Sequence, residues 1–65
     1  MPIIRVEILK GRSSEIKQSL VSEITEVSAR HLGVDASHIN VMIDEVEPSH
    51  WAVGGRFLDA PTHKK

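Results

Sequence analysis

The segment from Ser14 to Leu32 contains no glycine and no proline, and it constrains the fold more than any other feature of the chain. At ~100° per residue, Ile16, Leu20, Val21, Ile24, Val27 and Leu32 fall within an arc of about 160°. Glu15, Ser19, Ser22, Glu26 and Arg30 cover the other side. The pattern predicts an amphipathic helix of about five turns. Ser13 or Ser14 suits the N-cap, and Glu15 places negative charge in the first turn, where the macrodipole favours it. Gly33 suits the left-handed position that ends a helix. His31 falls inside the apolar arc and reads as a hydrogen-bonded core or interface residue. Glu26 and Arg30 stand at i, i+4 on the solvated side.

Both flanks of this helix have period 2. In Pro2–Leu9, Ile4, Val6 and Ile8 share one parity while Arg5 and Glu7 take the other. In Ile39–Val46, Ile39, Val41 and Ile43 form one row, with Asn40, Met42 and Asp44 in the other. Each reads as a strand with one face covered. Pro48 stops the second, and Trp51–Phe57 reads as a short extended piece turning at Gly54-Gly55. Strand, long helix, strand is a β-α-β unit with parallel strands and a right-handed crossover. The fold class is therefore α+β: two parallel strands, one amphipathic helix and a short C-terminal hairpin, in a single domain over residues 1–65 with a frayed polar tail from Asp59.

Such a unit is marginal alone. The chain has 65 residues and no cysteine, so disulfides and thiolate metal sites are excluded as staples. Its histidines, at 31, 38, 50 and 63, match no zinc-ligand spacing. Ile3, Leu9, Met42 and Val46 make the second sheet face too apolar to stay wet. Oligomerisation is the staple that remains. Eight basic against nine acidic residues provide no cationic field for nucleic acid. No apolar run approaches a membrane span, and a strand-like pattern begins at residue 2 in place of a signal peptide. The expectation is a soluble cytoplasmic oligomer.

Chemistry could sit in several places. Methionine before a small second residue is usually removed by aminopeptidase, which would leave Pro2 as a free secondary amine. An α-amino group titrates near ~7.7–8.0, and burial or a nearby cation lowers that value, so Pro2 could act as a general base. Taken alone, Met-Pro reads first as the start of a strand, where the missing N–H is tolerated. Arg12, at the strand-to-helix junction, could hold a carboxylate beside a helix N-terminus or be a solvated loop residue. Trp51 could wall an apolar pocket or anchor subunit packing. Asp44, Glu45 and Glu47 read as a solvated acidic end, resembling a catalytic carboxylate pair only by their number.

Taken in order, Pro2, a strand, Gly11-Arg12-Ser13, the helix, Val41-Met42-Ile43-Asp44-Glu45 and His50-Trp51-Ala52-Val53-Gly54-Gly55 resemble the 4-oxalocrotonate tautomerase family. The resemblance runs from Pro2 to about Arg56 without a gap. It implies a cofactor-free, metal-free isomerase acting on a small enol or 2-oxo acid, assembled as a homohexamer, a trimer of dimers. It also implies Pro2 as the general base that carries the enol proton to carbon, and Arg12 as the ligand of the remote carboxylate. Trp51 stands where the family most often has phenylalanine, an aromatic that keeps the site apolar, and Leu9 is similar to the adjoining apolar wall. Asn40 departs from the pattern: the best-known members have a second arginine there, binding the 2-oxo acid end. An amide can donate to that end but brings no charge, which implies weaker dicarboxylate tautomerisation.

Asparagine at position 40 is also similar to one subunit of the haloacrylate dehalogenases of the same superfamily. Their hydration chemistry needs a carboxylate near the position of Val53, and valine cannot supply it. The competing readings are a relative with a different native reaction and a non-catalytic oligomeric binding protein.

Overall fold

The computed structural model describes residues 2–60. Strand β1 (Ile3–Leu9) leads through Lys10–Ser13 into helix α1 (Ser14–Leu32). Strand β2 (Asn40–Val46) then pairs with β1 in parallel register, Ile3 opposite Asn40 and Leu9 opposite Val46. Two residues each form β3 (Ala52–Val53) and β4 (Arg56–Phe57), an antiparallel hairpin.

Local chemistry accounts for the boundaries. The Ser13 side chain accepts from the Ile16 amide at 3.2 Å, satisfying one of the free N–H groups of the first turn. At the other end Gly33 adopts φ 69° and its N–H returns to the Ala29 carbonyl. Gly54 and Gly55 both have positive φ, 62° and 85°, the requirement of the tight turn whose twist matches a two-residue hairpin.

Two 3-10 turns, Ala36–His38 and Pro48–His50, are additions to the expected order. The first shortens the second strand: Ile39 closes that turn, its N–H donating to the Ala36 carbonyl, and pairing begins at Asn40. The Asp35 carboxylate caps it, accepting from the backbone and hydroxyl of Ser37. Those hydrogen bonds hold Asp35 below its ordinary value of 3.8. Asp59 and Ala60, expected to fray, belong to a turn closed by Ala60 N–H on the Phe57 carbonyl at 3.1 Å. The rest of the expected tail lies outside the described residues.

The helix covers one sheet face, where Ile4, Val6, Ile8, Val41 and Ile43 are half-buried, as are Leu20, Val21 and Ile24 of the helix. The apolar arc is wider than this cover. Ile16, Val27 and Leu32 remain exposed, and so does His31, which is therefore no core histidine of the single chain. Among the described residues Glu26 and Arg30 form no ion pair; they rim a shallow groove along the helix with Leu20, Glu23, Ile24 and Val27.

On the opposite face Ile3 is 63% and Met42 45% exposed. Leu9 and Val46, expected to be as open, are half-buried. The segment after β2 folds back over that end, so Trp51 shares a recess with Glu7 and Val46. No described residue is buried. The accessible surface is 4951 Å², against roughly 4,100 Å² for a compact monomer of this mass. The radius of gyration is 15.9 Å, against about 11 Å. One chain supplies the scaffold of a core and leaves part of its apolar surface uncovered.

Candidate active site

Pro2 stands just before β1 and is half-buried. Its carbonyl accepts from the Asn40 amide N–H at 3.0 Å, the first rung between the two strands. A proline is tolerated here because it needs to donate nothing to the ladder. The Asn40 side chain lies on the open face, exposed, and among the described residues it makes no hydrogen bond. Pro2 and Asn40 thus share one end of the sheet.

Leu9, Arg12 and Trp51 define the other end. Arg12 Nη1 donates to the Leu9 carbonyl at 3.0 Å, which sets the guanidinium beside the last residue of β1 and just before the α1 N-cap. The other basic residues of this junction are committed: Lys10 to Glu47 at 2.8 Å, Lys17 to Glu45 at 2.9 Å. Among the described residues Arg12 has no carboxylate partner, so it keeps free N–H groups next to the positive end of a helix. That combination favours an anion. The hydrogen bond and charge of Lys10 hold Glu47 below the ordinary carboxylate value, and Glu47 in turn raises Lys10. Trp51, half-buried, lines a recess of about 330 Å³ with Glu7, Val46, His50 and Ala52. Its carbonyl accepts from Leu58 N–H at 2.8 Å, tying the hairpin's return to this end.

The two ends are far apart. Pro2 and Arg12 bracket the seven residues of β1, a span of about 23 Å at ~3.3 Å per residue, which no arginine side chain crosses. One chain therefore brings Pro2 to Asn40, and Trp51 to the Leu9–Val46 end with Arg12, but keeps these groups separate. A site using both ends needs the second from another copy. Glu7 and His50 were not among the expected site residues, although Glu7 has the parity of Leu9 and His50 adjoins Trp51. The acidic residues of β2 and its exit are each taken by a base: Asp44 by Arg5, Glu45 by Lys17, Glu47 by Lys10. Among the described residues no group of histidines and carboxylates could hold a metal ion, and no helix is long and apolar enough to cross a membrane.

Residues 2–60 match the family model described as tautomerase enzyme. A probable tautomerase of Staphylococcus aureus is 42% identical over 55 residues, 85% of this chain and 90% of its own length. A probable tautomerase of Ralstonia nicotianae is 36% identical over 57 residues, 88% of each chain. The crystal structure of a 4-oxalocrotonate tautomerase homologue superimposes with a TM-score of 0.89 at 33% identity, covering 97% of this chain and 100% of that one. A heterohexamer 4-oxalocrotonate tautomerase from Chloroflexus aurantiacus superimposes with a TM-score of 0.87 at 33% identity, over 92% and 97%.

Proposed function

This chain belongs to the tautomerase family, and we propose that it moves a proton between the enol oxygen and a carbon of 2-hydroxydienoate and 2-oxo acid substrates, with Pro2 as general base. The observation that carries this reading is the family match itself, which begins at Pro2 and runs to residue 60. The reading requires removal of Met1, a residue outside those described. The secondary amine then takes the enol proton, the oxygen becomes a carbonyl, and the electron pair shifts along the conjugated chain to a carbon. That carbon recovers the proton from the prolinium, so nothing is consumed and no electron acceptor is called for. An α-amine near ~7.7–8.0, lowered by an apolar surround or a cation, is a base suited to neutral pH.

Arg12 binds the carboxylate remote from the reacting end, Leu9 and Trp51 wall the site, and Asn40 donates to the 2-oxo acid end. Residues 1–65 act as a single tautomerase-like domain. The ~23 Å between Pro2 and Arg12 supports a site assembled between copies, as does the uncovered surface of the single chain. The assembly proposed is a homohexamer. Asn40 supports a second reading, a relative whose native reaction is not dicarboxylate tautomerisation, because a neutral amide stabilises a developing enolate less than a charged donor does.

The test is a spectroscopic assay of the native protein, its intact mass first showing that methionine is absent, on 2-hydroxymuconate and phenylenolpyruvate. Pro2→Ala leaves a primary amine on a less constrained residue and should lower kcat by about 10²–10⁴-fold, the usual contribution of a general base. A native protein that retains methionine, or unchanged kinetics in Pro2→Ala, refutes the proline mechanism.

A further inference from the structure

The open sheet face holds a cation that the reading above leaves unused. Its exposed side chains are Ile3, Arg5 and Glu7 along β1 and Asn40, Met42 and Asp44 along β2. Arg5 is the only base among them. The register sets Arg5 opposite Met42. Asn40 and Asp44 lie two positions to either side of Met42 on the same face, so both are diagonal neighbours of Arg5. Its guanidinium Nη1 reaches Asp44 Oδ2 at 3.3 Å, with the two side chains 54% and 49% exposed. The lysine pairs are closer, at 2.8 and 2.9 Å. Only one N–H is engaged, whereas the guanidinium fork can donate two in parallel to a carboxylate. In the single chain this exposed, single-contact pair is held weakly, and a binding role for Arg5 requires Arg5 and Asp44 to stay open to solvent in the assembly.

We propose that Arg5 is a substrate-binding residue. It swings from the Asp44 diagonal to the Asn40 diagonal and, with the Asn40 amide, holds the carboxylate of an enol or 2-oxo acid at the Pro2 end of the sheet. This rests on the tautomerase reading and deepens it: Arg5 supplies the positive charge that position 40 lacks. Arg12 cannot do so from the same chain, since it lies beyond the far end of β1. Asp44 is a positioning residue. It keeps the guanidinium over the face when no anion is present, and it competes with the anion for the same N–H groups. The two residues therefore act on affinity with opposite signs.

The experiment uses the Met-free protein, phenylpyruvate binding by calorimetry, and initial rates on phenylenolpyruvate, whose single carboxylate isolates this end of the site. Arg5→Gln should raise Kd and KM by roughly 10- to 150-fold, the effect of losing a hydrogen bond to a charged group. Arg5→Lys, which keeps the charge without the fork, should fall between native and Arg5→Gln. Asp44→Asn should tighten binding by about 1.5- to 5-fold, because an exposed competing pair is removed.

Light scattering on each variant reports assembly. A merely structural ion pair would make both substitutions weaken assembly and binding together. An assembled Arg5→Gln that binds within twofold of native, or an Asp44→Asn that binds no tighter, overturns the proposal. Should Arg5→Gln fail to assemble, Asp44→Asn decides alone: tighter binding supports the proposal, and equal or weaker binding overturns it. Pro2→Ala separates the two readings. A normal rate in Pro2→Ala removes the proline mechanism and leaves the Arg5 binding result standing, whereas a native protein that neither binds nor turns over overturns both.

Discussion

Truncation of Ile3 measures how far this chain depends on its own copies. Ile3 is 63% exposed in the single chain, on the face opposite the helix. Cutting a fully buried isoleucine back to alanine costs roughly 2–5 kcal/mol. If assembly covers Ile3, the fraction still to be buried makes the loss about 1–3 kcal/mol per chain. In a hexamer each chain contributes its loss, and the concentration at half-assembly responds to six such losses spread over five association steps. The midpoint for Ile3→Ala should therefore rise by roughly 10- to 400-fold. Sedimentation equilibrium over a dilution series gives that midpoint, and circular dichroism on the same samples reports whether α1 survives dissociation. Because no described residue is buried in the chain alone, helicity and assembly should be lost together. Ser19→Ala, on the polar side of the helix, serves as the control and should shift the midpoint little. An Ile3→Ala midpoint equal to that of the native protein, or a native chain that stays helical as a monomer, would refute the reasoning.

Arg12→Ala should raise KM for a dicarboxylate such as 2-hydroxymuconate far more than for the monocarboxylate phenylenolpyruvate, by roughly 10- to 150-fold; equal effects on both would separate Arg12 from the remote carboxylate. Asn40→Arg should raise kcat/KM on 2-hydroxymuconate, tenfold for each ~1.4 kcal/mol of added transition-state stabilisation, and an assembled variant with no gain would refute the account of position 40. Glu47 is held below its ordinary value of 4.5 by its hydrogen bond and ion pair with Lys10. Its contribution to stability is therefore present above pH 4.5 and lost as the pH falls through the depressed value. Lys10→Met should return the Glu47 titration, followed by carboxyl NMR, towards 4.5 and flatten the acid limb of the stability curve; a Glu47 titration unmoved by Lys10→Met would exclude Lys10 as the cause.

Much of the candidate site was legible because its signals are local. Pro2 before a period-2 strand, Gly11-Arg12-Ser13 at a helix start and the Gly54-Gly55 pair each depend on backbone chemistry within a few residues. Arg5 was harder to find. Alternation placed it on the open face with Asn40 and Asp44, but its place diagonal to both follows only from the register that sets it opposite Met42. Lys17 and Glu45, 28 residues apart, likewise meet only once the helix crosses back over the sheet, while the tidy i, i+4 pair of Glu26 and Arg30 does not close.

The sequence alone determined the β-α-β order, the helix end at Gly33 and its start to within a residue at Ser13 or Ser14, and the inward rows of both strands, and it set the expectation of a partner copy. Capping, glycine conformation and period are short-range properties, and a chain of 65 residues without cysteine has few other routes to stability. Only the tertiary structure decided which apolar residues the chain covers for itself. Periodicity marks the apolar side of an element but carries no information on the width of what packs against it. A two-stranded sheet is narrower than the helix arc, so Ile16, Val27 and Leu32 stay bare. The fold-back sets Trp51 in a recess with Val46 and leaves Ile3 and Met42 open. The same geometry divides the candidate site, because a strand of seven residues holds its two ends too far apart for any side chain to join them.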